Sequence, residues 1–242
     1  MSFPALKTAP VFSPKNVSAG GFTEEGVFSY SGVITRTGIA FVFLLAGAAL
    51  GWAFPVLIWP GLIVGLVLGL VVAFKKIRNP FMTLAYSVVE GVVVGGLSAL
   101  FETLYPGVVA QAVLATLVTF ATILVLYAFK GIRATPKLTR FFLIAAVAYL
   151  LFGLLNIVLM VTGVSTGMFG LYSDLGWIGI AIGVIGVLLA SYSLLSDFTY
   201  IGYAVDNKAD ASWEWFGAFS LIGSLVWLYI EWLRLLALSS NN

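Results

Sequence analysis

Seven apolar blocks, most of them about 18 to 22 residues long, fill the greater part of the chain between residues 37 and 238. They run from Thr37 to Phe54, Leu57 to Phe74, Phe81 to Phe101, Val108 to Phe129, Phe141 to Val161, Trp177 to Asp197 and Glu214 to Leu238. A helix of about 20 apolar residues crosses a hydrocarbon core of about 30 Å, so each block has the length of one transmembrane helix. Transmembrane β-strands alternate apolar and polar residues, whereas these blocks are apolar throughout. The fold class that follows is all-α, a polytopic membrane protein with seven transmembrane helices in contact with a lipid bilayer. Composition agrees: 9% of residues are charged and mean hydropathy is +1.09, where a soluble domain carries roughly a quarter charged residues.

Residues 1–36 differ from the rest. Pro4, Pro10, Pro14, Gly20 and Gly21, set among Ser and Lys, read as a flexible polar tail. It lacks the pattern of a signal peptide, because the first long apolar block begins only after Arg36. Residues 239–242 make a short C-terminal tail beyond the domain at 37–238. Lysine and arginine mark the cytoplasmic side of short loops, and eleven of the twelve fall in alternate loops on one side, Arg234 being the exception. The N-terminus is therefore expected in the cytoplasm and the C-terminus outside. These basic residues sit beside apolar blocks and report topology, not nucleic acid.

The chain has no cysteine and no histidine, which removes disulfides, thiolate nucleophiles, histidine-held zinc or haem, and imidazole triads. Residues 214–238 contain no lysine for a retinal Schiff base. No cofactor and no enzyme activity are expected, an aspartyl dyad being disfavoured by the separation of the buried acids. Glycines recur at four-residue spacing at Gly61, Gly65 and Gly69, at Gly91 and Gly95, and at Gly179 and Gly183. Such spacing lets helices approach closely in lipid.

Charges inside a span are costly and face a partner, a cavity or a pathway. With a rise of about 1.5 Å per residue, Glu90 in YSVVEGVVVGG is expected near the bilayer midplane. It reads either as a protonated structural carboxyl or as a carboxylate lining a wet path. By the same rise Asp197 is expected at the cytoplasmic end of the sixth span, level with Lys75, Lys76 and Glu214. Glu231 is expected near the outer face. There Arg234 follows at i+3, so the two read as an outer ion pair beside Trp227 and Trp232 as interfacial aromatics. Glu102, beside Tyr105 and Pro106, reads as a solvated interfacial group.

The stretches NPFMTLAYSVVEGVVVGGLSALFE, YPGVVAQAVLATLVTFATILVLY and WEWFGAFSLIGSLVWLYIEWLRLL resemble the Bax inhibitor-1/YccA superfamily, in its bacterial branch. The likeness covers most of residues 75 to 238. It implies a last helix surrounded by the other six, a bacterial plasma membrane location, and a pH-sensitive calcium leak. It also implies two aspartates that share a proton and close the path, with a basic residue at the end of the second span locking the first. Asp197 in LLSDF matches the sixth-span aspartate, and Lys75, Lys76 or Arg78 matches the basic lock. The second aspartate's position falls on Ser224, so the two-carboxylate latch lacks its second acid, and Glu90, Glu214 or Glu231 is the candidate substitute.

Two functions are compatible with these residues. One is a passive cation pathway, with calcium as the ion, since calcium takes oxygen ligands that Asp197, Glu90, Ser193, Ser196, Tyr86 and Asn156 supply. The other is a membrane regulator that transports nothing and binds a membrane protease or another membrane-protein partner through the loop KGIRATPKLTR.

Overall fold

The computed structural model describes residues 26–164 and 170–240. Of the tail expected at residues 1–36, residues 1–25, with the topology signals Lys7 and Lys15, lie outside the described residues, as do residues 241–242. Among the described residues seven helices are long and apolar enough to cross a membrane: α1 Tyr30–Ala53, α2 Ile58–Lys75, α3 Pro80–Leu104, α4 Val108–Lys130, α5 Pro136–Val161, α6 Trp177–Asp206 and α7 Trp213–Ser240. A 3₁₀ turn at Pro55–Leu57 leads into α2, and a single helical turn at Leu171–Asp174 precedes α6.

Three boundaries differ from those expected by five residues or more, each for a local reason. Helix α1 begins at Tyr30 and not Thr37, because Ser29 is extended and its hydroxyl accepts the Gly32 N–H, a side-chain N-cap. Helix α5 begins at Pro136 and not Phe141, because Thr135 caps it and proline suits the first helical position. Helix α6 runs to Asp206, nine residues past Asp197, because FTYIGYAV holds no proline and only one glycine. Helix α2 stops where expected, with Lys76 in the left-handed conformation at φ 51°.

The last helix is the most buried: 61% of its apolar window is inside, against 6% for α5. The described residues divide into two compact units, one holding those up to Leu100 together with Asp197–Val226, the other those from Phe101 to Ser196 with those from Trp227 onward.

In the first unit, α1 and α3 meet backbone to backbone. A Cβ on Gly47 or Gly51 would strike the carbonyl oxygen of Val88 or Val92, and one on Gly91 or Gly95 would strike that of Leu44 or Ala48. Contacts advance in the same sense on both helices, so the seam is parallel, and four glycines make it possible. Helix α2 lies antiparallel on another face of α3, with Gly61, Gly65 and Gly69 against Val93, Glu90 and Tyr86. Residues 26–28 are tied to the α6–α7 link, where Phe28 N–H donates to Ala209 (2.7 Å) and Ala211 N–H to Gly26 (2.9 Å).

In the second unit, Glu102 at the end of α3 accepts hydrogen bonds from Gly107 N–H (2.7 Å) and Val109 N–H (3.1 Å). It caps the first turn of α4, a firmer role than the solvated one expected of it. On α6, Gly183 packs against Leu235 and Gly186 against Tyr149 and Glu231.

Candidate functional site

Asp197 sits nine residues, about 14 Å, inside the end of α6 and not at that end. It is 9% exposed. The extra length of α6 puts it opposite the middle of the first half of α7, where Ser220 and Ser224 stand one turn apart on one face. Ser220 Oγ donates to Oδ1 and Ser224 Oγ to Oδ2, each at 2.5 Å. Short hydrogen bonds to a carboxylate are the strong kind, and together they occupy both oxygens. Ser224, the position at which the resemblance sets the second acid, is thus in direct contact with Asp197.

The same stretch of α7 carries a second contact on another side. The ring of Tyr86 packs 4.6 Å from that of Phe219, and its hydroxyl lies 3.2 Å from the Cβ position of Gly223. Tyr86 is buried and is the hydrogen-bond neighbour of Glu90, one turn further along α3. Glu90 in turn lies against α2, its Oε1 3.0 Å from the Cβ position of Gly65. Glu90 therefore has a partner, and it is an uncharged one. The segment Phe219–Ser224 stands between two acids, each held by hydroxyl groups.

None of the proposed basic locks reaches Asp197 among the described residues. Arg78 Nη1 donates to Ser212 Oγ at 3.1 Å, with its guanidinium 4.7 Å over the ring of Trp213. Lys75 is exposed at the last residue of α2, and Lys76 is taken up in the turn that ends it. The physical reason is depth: Asp197 lies more than two turns inside its helix, whereas these residues ring the helix ends.

Glu214 is not a latch partner of Asp197 either. It is 3% exposed and pairs with Arg36 Nη1 at 2.6 Å, while Ser29 N–H and Oγ donate to its Oε1 at 2.8 and 3.1 Å. Arg36 also donates to the Ala211 carbonyl oxygen. Glu214 is on the first turn of α7, where the helix dipole favours an acid.

Glu231 and Arg234 form the expected i+3 ion pair, but it is built into the second unit. Glu231 is 3% exposed and also takes hydrogen bonds from Tyr149 hydroxyl at 2.7 Å and Trp227 Nε1 at 3.0 Å. The Arg234 guanidinium lies 4.2 Å over the ring of Tyr172 and donates to Tyr149. Trp232 Nε1 donates to Thr119 Oγ1 at 3.1 Å. Both indoles, read as interfacial aromatics, donate to protein groups. Asn156, a suggested oxygen ligand, instead accepts the Leu171 N–H at 2.7 Å.

Reading the sequence missed Ser220 and the cluster of Tyr149 and Tyr172. Ser220 carried a usable signal, since it stands four residues from Ser224 in an apolar helix. The tyrosines carried none, because aromatic residues in a transmembrane span are ordinary.

No match to this chain is found among curated proteins. The profile of the family described as Bax inhibitor 1 like matches residues 9–241, which extends the resemblance seen at residues 75 to 238 to nearly the whole chain. It is not a known enzyme family. With seven apolar helices and a profile match over almost its full length, the chain belongs to the Bax inhibitor 1 like family of integral membrane proteins.

Proposed function

We propose that this protein is a pH-sensitive cation leak of the Bax inhibitor type, with calcium as the permeant ion and Asp197 as the residue that gates it. The observation that carries the reading is a buried carboxylate on α6 whose two oxygens are each held by a serine of α7. An ionised carboxylate accepts both hydroxyls. A protonated one accepts more weakly and is itself a donor, which favours one serine turning its hydroxyl to become the acceptor. Titration of Asp197 therefore switches the contact between α6 and α7 between two arrangements, the element that a pH gate requires.

Passage of a cation also calls for sites that bind weakly. Among the described residues no group of three or more acids converges, and Asp197 and Glu90 each stand with hydroxyl neighbours. A calcium ion meeting such sites finds too few oxygen ligands to be retained, since a tight site takes six to eight. The bias of lysine and arginine to alternate loops supports an N-terminus in the cytoplasm and a C-terminus outside, and the resemblance to the bacterial branch of the family supports a bacterial plasma membrane.

Calcium flux into proteoliposomes tests the reading. Flux is expected to fall, or to lose its pH dependence, in Asp197→Asn and in Glu90→Gln. Unchanged flux in both overturns the assignment. No flux for the native chain, with one membrane protein co-purifying until the charges of KGIRATPKLTR are reversed, establishes the regulator in its place.

A further inference from the structure

Helices α6 and α7, which carry Asp197 and its two serines, are joined by residues 207–212. To pass an ion, a change at this contact has to extend beyond a turned hydroxyl to the helices themselves. Such displacement is absorbed at a few element-terminal residues, which makes the link the hinge between Asp197 and Ser220 with Ser224. Lys208 already turns the chain there in the left-handed conformation, at φ 49°.

That hinge is tied down from the other end of the chain. Val27 and Asp210 form an isolated antiparallel bridge, flanked by Phe28 N–H on Ala209 and Ala211 N–H on Gly26. Phe28 and Ala209 are each 3% exposed, and Phe28 reaches α7, its Cζ 3.7 Å from the Cβ position of Gly217. Ser29 and Arg36 hold Glu214 on the first turn of α7, and Arg36 also takes the Ala211 carbonyl oxygen. From the α2–α3 connection, Arg78 donates to Ser212 and sets its charge near Asp210. Apart from the seat of Phe28, these ties are a few hydrogen bonds and one ion pair at the end of the bundle, where local opening costs little.

We propose that residues 26–29, with Arg36, are a strap across the α6–α7 hinge, and that strap and Asp197 contact switch together. With the strap seated, α7 presents Ser220 and Ser224 to Asp197; the other arrangement of that contact requires the strap to lift from residues 209–214. Glu214 is then a positioning residue, acting on Asp197 through the placement of α7. The effect on flux rests on the reading of Asp197 as the gate, whereas the coupling itself is measurable without flux.

Thiol labelling tests this, in a chain with no cysteine of its own. Ala209→Cys sets one thiol under the strap, and Ala134→Cys, at a residue 7% exposed in the α4–α5 link, is the control. With the full chain in detergent and an uncharged maleimide as the reagent, the rate follows the population of the opened form. Asp197→Asn is expected to raise the rate at position 209 about tenfold, the effect of losing one hydrogen bond to a charged group, and to leave position 134 unchanged. Glu214→Gln is expected to do the same. Val27→Cys with Asp210→Cys then closes the strap. The two residues face each other without exchanging hydrogen bonds, a pairing with Cα atoms about 4.5 Å apart, within disulfide range. In proteoliposomes the oxidised chain is expected to carry calcium at a rate that no longer changes with pH, and a reductant to restore the change. The strap is overturned by a rate at position 209 indifferent to Asp197→Asn, by an equal rise at position 134, by failure of the pair to cross-link, or by an oxidised chain that keeps the pH response of the reduced one. A native chain that carries no calcium removes the gate instead, and the labelling rates then decide the strap by themselves.

Discussion

Ser224 on α7 donates its hydroxyl to Oδ2 of Asp197 on α6 at 2.5 Å, and Ser220 serves Oδ1 at the same distance. Removing one donor leaves the carboxylate with the other. Ser224→Ala is expected to lower stability by about 1.5–3 kcal/mol, the worth of a hydrogen bond to a charged group, read as a lower melting temperature in detergent. Ser224→Asp places a second carboxylate in hydrogen-bond reach of the first, where the two would titrate as a pair. Its flux is expected to change with pH in two proton steps where the native chain shows one. A profile identical to the native one would separate Asp197 from gating.

The contact between Glu214 and Arg36 closes the first unit at its helix ends. Glu214→Ala removes the ion pair and the acceptor for Ser29 together. Breaking a buried pair costs about 3–5 kcal/mol, and the 25% exposure of the Arg36 side chain discounts this to about half. Glu214→Gln keeps an acceptor for Ser29 and is expected to lose less. Gly32→Ala, whose Cβ would meet the Glu214 carboxylate, is expected to loosen the same contact. Limited proteolysis ahead of Ser29 reads all three: cleavage is fastest in the alanine variant of Glu214, and equal rates in all would deny the contact any role.

The seven spans were legible because apolar length is fixed by the bilayer and needs no partner to be read. The glycine spacing on α3 likewise announced a close approach, though not that α1 would be the neighbour or that the seam would be parallel. The end of α6 was set nine residues short of Asp206 because nothing in SDFTYIGYAVD stops a helix, so a helix that continues looks like one that ends. The i+3 pair of Glu231 and Arg234 was readable from one helix alone. Glu214 with Arg36 was not, since the partners stand near opposite ends of the chain and only the fold brings them together.

Gly95 faces the Ala48 carbonyl oxygen at a distance that admits no side chain. Gly95→Ala is expected to force the parallel seam apart at a cost of about 1–3 kcal/mol, the range for overpacking. Gly38→Ala on α1, with open space at its Cβ position, is the control and is expected to be neutral or stabilising by up to about 1 kcal/mol through helix propensity. Melting temperatures that fall equally in both variants would remove the seam as the cause.

Asp210 lies in the α6–α7 link, outside the spans. Hydrogen bonds from Ser212 first, and then the charge of Arg78, hold its carboxyl below the usual range. A carboxyl so depressed stabilises the fold above its unfolded value of about 3.9 and loses that contribution as pH falls through its folded value. The native chain is therefore expected to lose melting temperature below about pH 4 more steeply than Asp210→Asn, with no difference in slope between pH 6 and pH 8. Parallel curves throughout would show that the link contributes nothing through this group.

Glu231 and Arg234 are buried side by side, with side chains 4% and 16% exposed. Each is tolerable inside the second unit only because the other is present. Glu231→Gln leaves a guanidinium unpaired and is expected to cost about 3–5 kcal/mol, and Arg234→Met leaves a carboxylate in the same position. The double variant Glu231→Gln with Arg234→Met removes both charges at once and retains an acceptor for Tyr149 and Trp227. A buried pair replaced by groups of similar volume is often neutral or better, so the double variant is expected to melt above both single variants. A double-mutant cycle in detergent then returns a coupling of the order of the single losses. If the losses simply add, the pair is solvated and its role is that of two separate surface charges.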